Sequence, residues 1–411
     1  MNRVNELIKE YCPDGVPFQK VKDVYTRVKG TPITAGKMKE IACDDGEIRI
    51  FAGGKTIIDA HEKDIPKANI TRVPAVLVQS RGVIDVVYYD KPFTFKNEMW
   101  AYTSEDIVSV KFLYYVLKNS IQTFRDAASG MGSLPQISLK VTEEFMLPVP
   151  PLEVQHEIVH ILDSFMLLTA ELTAELTARK KQYEFYRNKL LTFRSDTMMR
   201  ALGDVCDVVS GGTPSKKNND YWSGGTIKWL GSTVCKNLKT VDSITGYITE
   251  QGLVESSAKM MKQGTTLIAL VGATIGKIAY LPFEATINQN IAGVYPKDIS
   301  TLDPSYVYYA CTTLYPKFLA LTQGSKLAMA NMSFVRELKI PVPSIDVQKR
   351  LVNVLDNFES ICSDLNIGLP AEIEARQKQY EYYRDLLLTF AETGNTILTD
   401  RQTDRQTDRQ S

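Results

Sequence analysis

Residues 179–193 read RKKQYEFYRNKLLTF, and residues 376–390 read RQKQYEYYRDLLLTF. The two stretches are identical at eleven of their fifteen positions, although 197 residues separate them. Both combine aromatic and basic side chains with apolar residues at the spacing of an α-helix. Repetition of such a long segment indicates that the chain consists of two copies of one structural plan.

Further segments match between the two halves and follow the same order in each. The pairs are KGTP (29–32) with GGTP (211–214), AVLV (75–78) with TLIA (266–269), LPVPPLEVQ (147–155) with IPVPSIDVQ (340–348), and LDSF (162–165) with LDNF (355–358). Each half is therefore predicted to contain a globular domain, a Pro-Val-Pro elbow and a helix. The globular parts share little sequence outside these anchors, which favours a scaffold role for the helices and a specificity role for the domains.

The globular parts contain short runs of Val, Ile, Thr and Tyr, as in VPAVLVQS at 73–80, which are typical of β-strands. Segments 114–119 and 305–321 have a helical pattern, so the predicted fold class is α+β. We expect two β-rich domains separated by two long helices that form an antiparallel coiled coil, in a pseudo-twofold repeat. The predicted regions are a first domain with its N-terminal segment (1–147), a central helical spacer (148–197), a second domain (198–340), a C-terminal helix (341–393) and a disordered tail (394–411).

The first helix carries apolar residues at alternating spacings of three and four from 158 to 193, interrupted only by Thr169 and Arg179. This is the pattern of a coiled-coil seam. The second helix repeats it, with a change of phase near Gly368-Leu369-Pro370 that predicts a kink or a restart. The alternative is two separate amphipathic helices, each packed on its own domain. The predicted seam consists of Leu162, Phe165, Leu172, Leu176, Tyr183, Tyr186, Leu190, Leu355, Phe358, Tyr380, Tyr383 and Leu387.

The first helix also contains TAELTAELTAR at 169–179 and is four residues longer than the second helix. Four residues are about one helical turn, or ~6 Å. A repeat unit of this size would change the length of a spacer helix in single turns. A neutral duplication in an exposed helix is the alternative interpretation.

The composition of the chain limits the functions that it can have. The chain has 411 residues, 44% of them hydrophobic, and its 48 basic side chains equal its 48 acidic ones. Because a protein that binds nucleic acid alone is usually basic, any DNA binding must use local patches or a partner that supplies charge. No signal-peptide pattern opens the chain, and the six cysteines are too dispersed for a zinc or redox motif. We therefore expect a cytoplasmic protein with reduced thiols and no membrane partner.

The Pro-Val-Pro elbows, the TAEL units and the repeated RKKQYEFYRNKLLTF stretch resemble the specificity subunits of type I restriction-modification systems, over about 390 residues in the right order. The TAEL units resemble one branch of that family. The resemblance implies two target recognition domains, each reading one half of a split sequence in double-stranded DNA, with a spacer that the helices set. It also implies docking of two adenine-N6 methyltransferase subunits and of the restriction motor and nuclease subunits. S-adenosylmethionine, ATP and Mg²⁺ would be bound by those partners and not by this chain.

Motifs for catalysis are not evident. His156 and His160 are four residues apart, but HEIVH does not have the HExxH order of zinc proteases, and a solvated helix face is the preferred interpretation. GATIGK at 272–277 is one residue short of a phosphate-binding loop, so we interpret it as a turn between strands. The sequence therefore predicts a chain without a catalytic site and without a metal site.

Candidate DNA-contacting residues follow from the chemistry of readout. Arg and Lys suit guanine, Asn and Gln suit adenine, and Lys, Ser, Thr and glycine-rich turns suit phosphate. An alternative role in turns and strand caps stays open for each candidate. The candidates are Thr31, Ser80, Arg81, Lys96, Asn97, Thr213, Ser215, Lys216, Lys217, Asn288, Gln289 and Asn290.

The tail repeats the tetrapeptide TDRQ three times from 399 to 410. Codons built from a four-base repeat can encode it, and such tracts slip during replication. Phase-variable expression is therefore one hypothesis for the tail, and an inert tail is the other.

Two further functions compete with DNA recognition. One is a two-domain coiled-coil scaffold without a DNA role, and the other is a stand-alone nuclease or methyltransferase, which no motif supports.

Overall fold

The computed structural model describes residues 2–128, 134–193, 197–322, 329–363 and 368–391, so the tail at 394–411 lies outside the described residues. The chain divides into two compact units. Among the described residues, unit 1 combines those up to Glu171 with those from Ala375 to Ala391, and unit 2 consists of those from Leu172 to Glu374.

Short strands form most of the globular part of each unit. The strands are β1 (Phe18–Lys20), β2 (Thr26–Val28), β3 (Ile48–Phe51), β4 (Ile57–Ala60), β5 (Ala75–Gln79), β6 (Asp85–Tyr89), β7 (Phe93–Phe95), β8 (Trp100–Thr103), β9 (Met146–Pro148), β10 (Met199–Ala201), β11 (Cys206–Ser210), β12 (Ile227–Leu230), β13 (Gly246–Ile248), β14 (Met260–Met261), β15 (Thr266–Ala269), β16 (Ile278–Tyr280), β17 (Ala285–Ile287), β18 (Ile291–Pro296) and β19 (Lys339–Pro341).

Helices flank the sheets and connect the two halves. They are α1 (Asn2–Tyr11), α2 (Val21–Val24), α3 (Ala35–Ile41), α4 (Ile107–Asn119), α5 (Ile121–Asp126), α6 (Leu139–Glu143), α7 (Leu152–Leu190), α8 (Leu202–Val205), α9 (Glu250–Val254), α10 (Pro304–Thr312), α11 (Tyr315–Thr322), α12 (Met332–Glu337), α13 (Ile345–Ser363) and α14 (Leu369–Thr389). The α+β class is confirmed. The helix predicted for 305–321 is divided into α10 and α11.

The two globular domains have the same sheet topology. In unit 1 one sheet has the order β2, β8, β5, β6 and a second has the order β4, β3, β7, while β1 pairs with β9. In unit 2 the corresponding orders are β11, β18, β15, β16 and β13, β12, β17, with β14 added at the edge, while β10 pairs with β19. The second sheet contains one parallel pair in each unit, β3 with β7 and β12 with β17.

One long helix lies on the antiparallel sheet of each domain, and an aspartate fixes its start. The Asp106 carboxylate accepts a hydrogen bond from the backbone N of Ser109, and Asp303 caps α10 in the same way through Tyr306. Such a cap satisfies one of the N–H groups that a helix terminus leaves without a partner. The buried faces of α4 and α10 pack on their sheets and form the largest apolar core of each unit.

The helix α7 is 39 residues long, or about 58 Å, and contributes to both units. Its first part belongs to unit 1, where Ile158 and Leu162 share a core with Leu387 of α14 and with Phe390, which directly follows α14. The Phe165 and Tyr383 rings stack there, with their centroids 5.4 Å apart. The stretch 376–390, from the second half of the sequence, therefore completes the core of the first unit.

The second part of α7 does the same for unit 2. Leu190 and Leu191 share a core with Leu355 of α13, and the Tyr186 ring stacks on Phe358 at 6.1 Å. The second helix of the pair restarts as predicted, because Gly368 is not helical and α14 begins at Leu369. The alternative in which each helix packs only on its own domain is wrong, since both repeated stretches pack in the unit of the opposite half.

The remaining predicted seam positions differ in burial. Tyr183 is packed against the core of unit 2, and Tyr380 against the core of unit 1. Leu172 and Leu176, which lie in the TAEL repeat, are only half-buried. The division between the units falls between Glu171 and Leu172, inside this repeat.

Aspartates of the repeated Leu-Asp motif fasten each domain to its helix. In unit 1, Asp163 accepts from Lys111 Nζ at 2.5 Å and from the Tyr115 hydroxyl at 2.7 Å. In unit 2, Asp356 accepts from Lys239 Nζ and from the Tyr309 hydroxyl. Charge-assisted hydrogen bonds of this type fix geometry as well as adding stability.

A second acidic group, Glu359, is buried in unit 2. It accepts hydrogen bonds from the backbone N of Lys239 at 2.8 Å and from the Tyr183 hydroxyl at 3.1 Å, and the Tyr309 hydroxyl also lies 3.1 Å away. Burial raises the pKa of Glu359, and these donors only partly oppose the increase. Glu359 joins α13 to α7 and to the loop that contains Lys239.

Truncation of a buried leucine in either helix core should destabilise the protein. Leu162 and Leu355 are fully buried, so Leu162→Ala or Leu355→Ala should lower the free energy of unfolding by ~2–5 kcal/mol. Leu167→Ala is the matched control, because Leu167 is 62% exposed on the same helix as Leu162, and its effect should be within ~0.5 kcal/mol. Urea unfolding measures all three. Equal effects for Leu162→Ala and Leu167→Ala would contradict the packing described.

Glu359 should make folding depend on pH. Its pKa is raised in the folded state, so the protonated form favours folding and this contribution is lost as pH rises from the unfolded pKa through the folded one. The free energy of unfolding of Glu359→Gln, relative to that of the wild type, should therefore be higher at pH 8 than at pH 4. Urea unfolding at both values measures the difference, with the exposed Glu284→Gln as the control. A Glu359→Gln variant that loses more stability at pH 8 than at pH 4 would contradict the assignment.

Candidate nucleic-acid interface

In unit 1 the segment after β2 crosses the end of β7. The backbone N of Thr31 donates to the Phe95 carbonyl at 2.7 Å. The Thr31 hydroxyl is 2.7 Å from the Thr94 hydroxyl and accepts from the backbone N of Asn69 at 2.9 Å. The Asn69 side-chain amide donates to the Gly30 carbonyl at 2.7 Å. Thr31 is buried, so its side chain serves this junction of strands in the structure described.

Glu98 holds two further turns of unit 1 together. Its carbonyl accepts from the Ser80 hydroxyl, and its carboxylate accepts from the backbone N of Gly53 at 3.1 Å. Lys96 Nζ lies 2.9 Å from the same carboxylate. Burial opposes ionisation of Glu98, but Lys96 and the Gly53 N–H outweigh it, so the pKa of Glu98 is lowered. Ser80 is buried, and Lys96 is largely engaged by Glu98.

Two predicted side chains of unit 1 remain available at the surface. Arg81 and Asn97 are exposed, in the turns that follow β5 and β7. Asn97 lines a cavity of about 490 Å³ that begins beside Gly30 and also contains Lys29 and Asn69. Lys29 is exposed and forms no ion pair within the described part of the chain. Arg81, Lys29 and Asn97 are thus the polar groups of this surface that can meet a ligand.

The sequence prediction omitted two of these lining residues. Lys29 directly precedes Gly30 of the KGTP segment, so its position beside the motif was an available signal. Asn69 had no such signal, because it is 38 residues from Thr31 in sequence and only the fold brings the two together.

In unit 2 the predicted residues converge at the equivalent place. The backbone N of Gly212 donates to the Ile287 carbonyl at 2.9 Å. A Cβ atom at Gly211 would lie 1.9 Å from that carbonyl oxygen, so this close approach requires glycine. The Thr213 hydroxyl donates to the Gln289 side chain at 2.5 Å. The loop that starts at Gly211 therefore lies beside the turn that contains Gln289.

The other predicted residues of unit 2 surround this contact. Asn288 accepts from the backbone N of Asn290 at 3.0 Å through its side chain, so it stabilises the turn. The Ser215 carbonyl accepts from the Trp222 indole at 3.1 Å, while the Ser215 side chain is exposed. Lys216 and Lys217 are exposed and have no ion pair with any residue that the structure describes. The loop therefore presents two cations next to an amide-rich turn.

Comparison of the two sites corrects the alignment of KGTP with GGTP by one residue. The hydrogen bond from Thr31 to Phe95 corresponds to that from Gly212 to Ile287, so Thr31 is equivalent to Gly212 and not to Thr213. The strand before the segment is longer in unit 2, with β11 at Cys206–Ser210 against β2 at Thr26–Val28. Thr213 is therefore one residue beyond the equivalent of Thr31, and its hydroxyl contacts a surface turn, whereas Thr31 is buried at the strand junction.

The structure also locates the GATIGK segment and the histidine pair that the sequence analysis considered. GATIGK forms a single 3₁₀ turn between β15 and β16, as predicted. His156 and His160 are exposed on α7, and His156 lies 3.5 Å from the Asp106 carboxylate. Among the described residues, every helix is too short or too polar to cross a lipid bilayer.

Known proteins resemble this chain over most of its length. Residues 13–179 and 194–375 match the family profile of the type I restriction modification DNA specificity domain, which therefore occurs twice. The specificity subunit of the type I restriction enzymes EcoR124I and EcoR124II of Escherichia coli is 37% identical over 292 residues. That alignment covers 68% of this chain and 71% of the relative.

Solved structures agree at the level of the fold. The S subunit of a type I restriction-modification system from M. genitalium has a TM-score of 0.56 and 18% sequence identity, covering 92% of this chain and 96% of the other. A chain from a study of complex assembly and conformational transition of the type I system also has a TM-score of 0.56, with 17% identity and coverage of 93% and 98%. The doubled family match and the doubled fold lead to one conclusion: the chain belongs to the family of type I restriction-modification DNA specificity subunits.

Proposed function

We propose that this chain reads a split sequence in double-stranded DNA, with one half read by each globular domain. The observation that carries the proposal is that the two domains share a topology but present different side chains at the equivalent loops. Unit 1 presents Lys29, Arg81 and Asn97, whereas unit 2 presents Lys216, Lys217 and Gln289. Equal folds with different hydrogen-bonding groups are what two recognition domains for unlike half-sites require.

The helices supply the spacer in this proposal. The helix α7 is continuous from Leu152 to Leu190 and contributes to the cores of both units. Its length would set the gap between the two half-sequences, and the TAEL repeat would make that length adjustable. The helices of each unit would also dock one adenine-N6 methyltransferase subunit, so that the doubled chain binds two of them. Motor and nuclease subunits would join this assembly.

The catalytic chemistry would belong to the partners. S-adenosylmethionine would be bound by the methyltransferase subunits, and ATP and Mg²⁺ by the motor and nuclease subunits. The charge balance of this chain supports such a division, because 48 basic and 48 acidic side chains provide little general attraction for DNA. Tight binding would then need the charge of the partners.

The competing function is a two-domain scaffold without a DNA role. A map of N6-methyladenine in cells that express this chain with its neighbouring methyltransferase distinguishes the two. We expect a split motif with a fixed gap that is absent when the methyltransferase is expressed alone. Unchanged methylation, with the complex shown to assemble, would favour the scaffold function.

Removal of one TAEL unit should shorten the gap in the recognised sequence. Deletion of Thr173–Leu176 shortens α7 by ~6 Å, which corresponds to one or two base pairs at about 3.4 Å each. Both half-sequences should stay the same in the methylation map. The control is Thr173→Ala with Thr177→Ala, which keeps the helix length and should keep the gap. An unchanged gap in the deletion variant would contradict a spacer role for α7.

The two lysines of the loop in unit 2 should contribute phosphate contacts. Lys216→Gln with Lys217→Gln should weaken DNA binding by the methyltransferase complex and reduce the slope of log K against log salt by about 1–2. Lys297→Gln is the control, because Lys297 follows β18 at the opposite end of its pairing with β11. A salt dependence that responds equally to Lys297→Gln would place the DNA elsewhere on the domain.

A further inference from the structure

A group of metal-binding side chains lies in unit 1, at the open end of the hairpin formed by β3 and β4. Cys43, Asp45 and His61 each place one donor atom within 4.8 Å of the other two. The His61 Nε2 atom lies 3.4 Å from the Asp45 carboxylate. We propose that these three residues bind a Zn²⁺ ion. This site is independent of the DNA-reading loops described above.

The donor set suits this cation. Zn²⁺ accepts thiolate sulfur, imidazole nitrogen and carboxylate oxygen, usually in tetrahedral geometry, and a water molecule would complete the fourth position. The thiolate of Cys43 and the carboxylate of Asp45 would balance the two charges of the ion. Zinc–ligand bonds of ~2.0–2.3 Å require the donor atoms to approach one another to about 3.3–3.8 Å. Asp45 can make this movement, because its side chain is 83% exposed.

A fourth residue, Glu47, orients the imidazole toward the proposed ion. Its carboxylate lies 2.8 Å from His61 Nδ1, and its other oxygen accepts from the backbone N of Glu62 at 2.8 Å. A histidine that donates Nδ1–H to a carboxylate keeps the lone pair of its Nε2 atom for a metal, an arrangement common around zinc. The hydrogen bond to Glu47 thus assigns Nε2 as the ligand atom, on the side where Asp45 lies.

Glycine allows the chain to bring these residues together. A Cβ atom at Gly46 would lie 2.2 Å from the backbone N of Ala60, so only glycine lets this turn lie flat against the end of β4. The backbone N of Cys43 donates to the Asp59 carbonyl at 3.0 Å on the same side. The turn therefore places Cys43 and Asp45 beside His61, which directly follows β4.

The equivalent hairpin of unit 2 shows that the fold itself does not need these side chains. Ile48 pairs with Ala60 in unit 1, and Ile227 pairs with Ile248 in unit 2. The register makes Gly225 equivalent to Gly46, and a Cβ atom at Gly225 would lie 2.6 Å from the Ile248 backbone. By the same register, the equivalents of Cys43, Asp45 and His61 are Trp222, Gly224 and Thr249.

A hairpin with the same register therefore forms in unit 2 without a thiol, a carboxylate or an imidazole at the equivalent positions. The three donors of unit 1 are an addition to the shared hairpin. A bound ion would cross-link its open end, so we expect it to stabilise the hairpin of unit 1 and leave that of unit 2 unchanged.

Protection of the Cys43 thiol tests the proposal on the full-length wild-type chain. Cys43 is half-exposed, whereas Cys12, Cys206, Cys235 and Cys311 are buried. Alkylation would be followed by mass spectrometry of the Cys43 peptide, with either Zn²⁺ or EDTA present. We expect Zn²⁺ to slow alkylation of Cys43 at least tenfold. An unchanged rate at saturating Zn²⁺ would overturn the proposal and leave His61 as a partner of two carboxylates only.

A histidine variant and its matched control localise the effect. His61→Gln should abolish the protection of Cys43 by Zn²⁺, whereas His160→Gln, at an exposed histidine of α7, should retain it. Equal protection in both variants would overturn the assignment of His61 as a ligand.

Hydrogen exchange of the wild-type chain gives a second readout that needs no variant. Zn²⁺ should slow amide exchange at 43–62 and leave exchange at 222–249 unchanged. Equal slowing in both segments, or in neither, would contradict a site specific to unit 1.

Discussion

The structure depends on the burial of the apolar face of each repeated stretch in the core of the unit formed mainly by the opposite half of the sequence. In unit 1, Leu162 packs with Leu387, and in unit 2, Leu355 packs with Leu191. An amphipathic helix of this length derives most of its stability from such packing and little from its own propensity. Each half of the chain therefore needs the other half to complete its core, which explains why the chain contains the stretch twice.

This arrangement separates the residues that hold the protein together from those that can vary. The short ladders of β1 with β9 and of β10 with β19 close the base of each globular domain in the same way. Beyond these ladders the two domains keep a common strand order, yet their loops present different polar groups. The exposed loop residues Lys216 and Lys217 belong to neither helix core, so the polar groups that a loop presents can change while the helix cores are retained.

The sequence was sufficient to predict the doubled plan, the α+β class and the restart of the second helix near Gly368. These features depend on patterns visible in the sequence, namely a long repeat, residue periodicity and a glycine two residues before a proline. It was not sufficient for the candidate surfaces, where burial decides the role of a side chain. Thr31 and Ser80 match the chemistry of phosphate contacts, but both are buried and hydrogen-bonded within the domain.

The cluster around His61 was missed for a related reason. Cys43 and Asp45 are separated from His61 by a hairpin, and no zinc motif has that spacing. Only the register of β3 with β4 brings the three side chains to one end of the sheet. The same strand register relates Gly46 to Gly225, an equivalence that the sequences of the two domains do not reveal.

The most direct test of the account is to make the two globular domains identical. Residues 202–338 would be replaced by a second copy of 21–145, because Val21 and Leu202 make equivalent hydrogen bonds to Phe145 and Leu338 at the base of each domain. The methylation map of this chain with its methyltransferase should show a split motif whose two halves are the same sequence. If the chain folds and binds the methyltransferase but still methylates the wild-type motif, the domains do not read the DNA independently and the account is wrong.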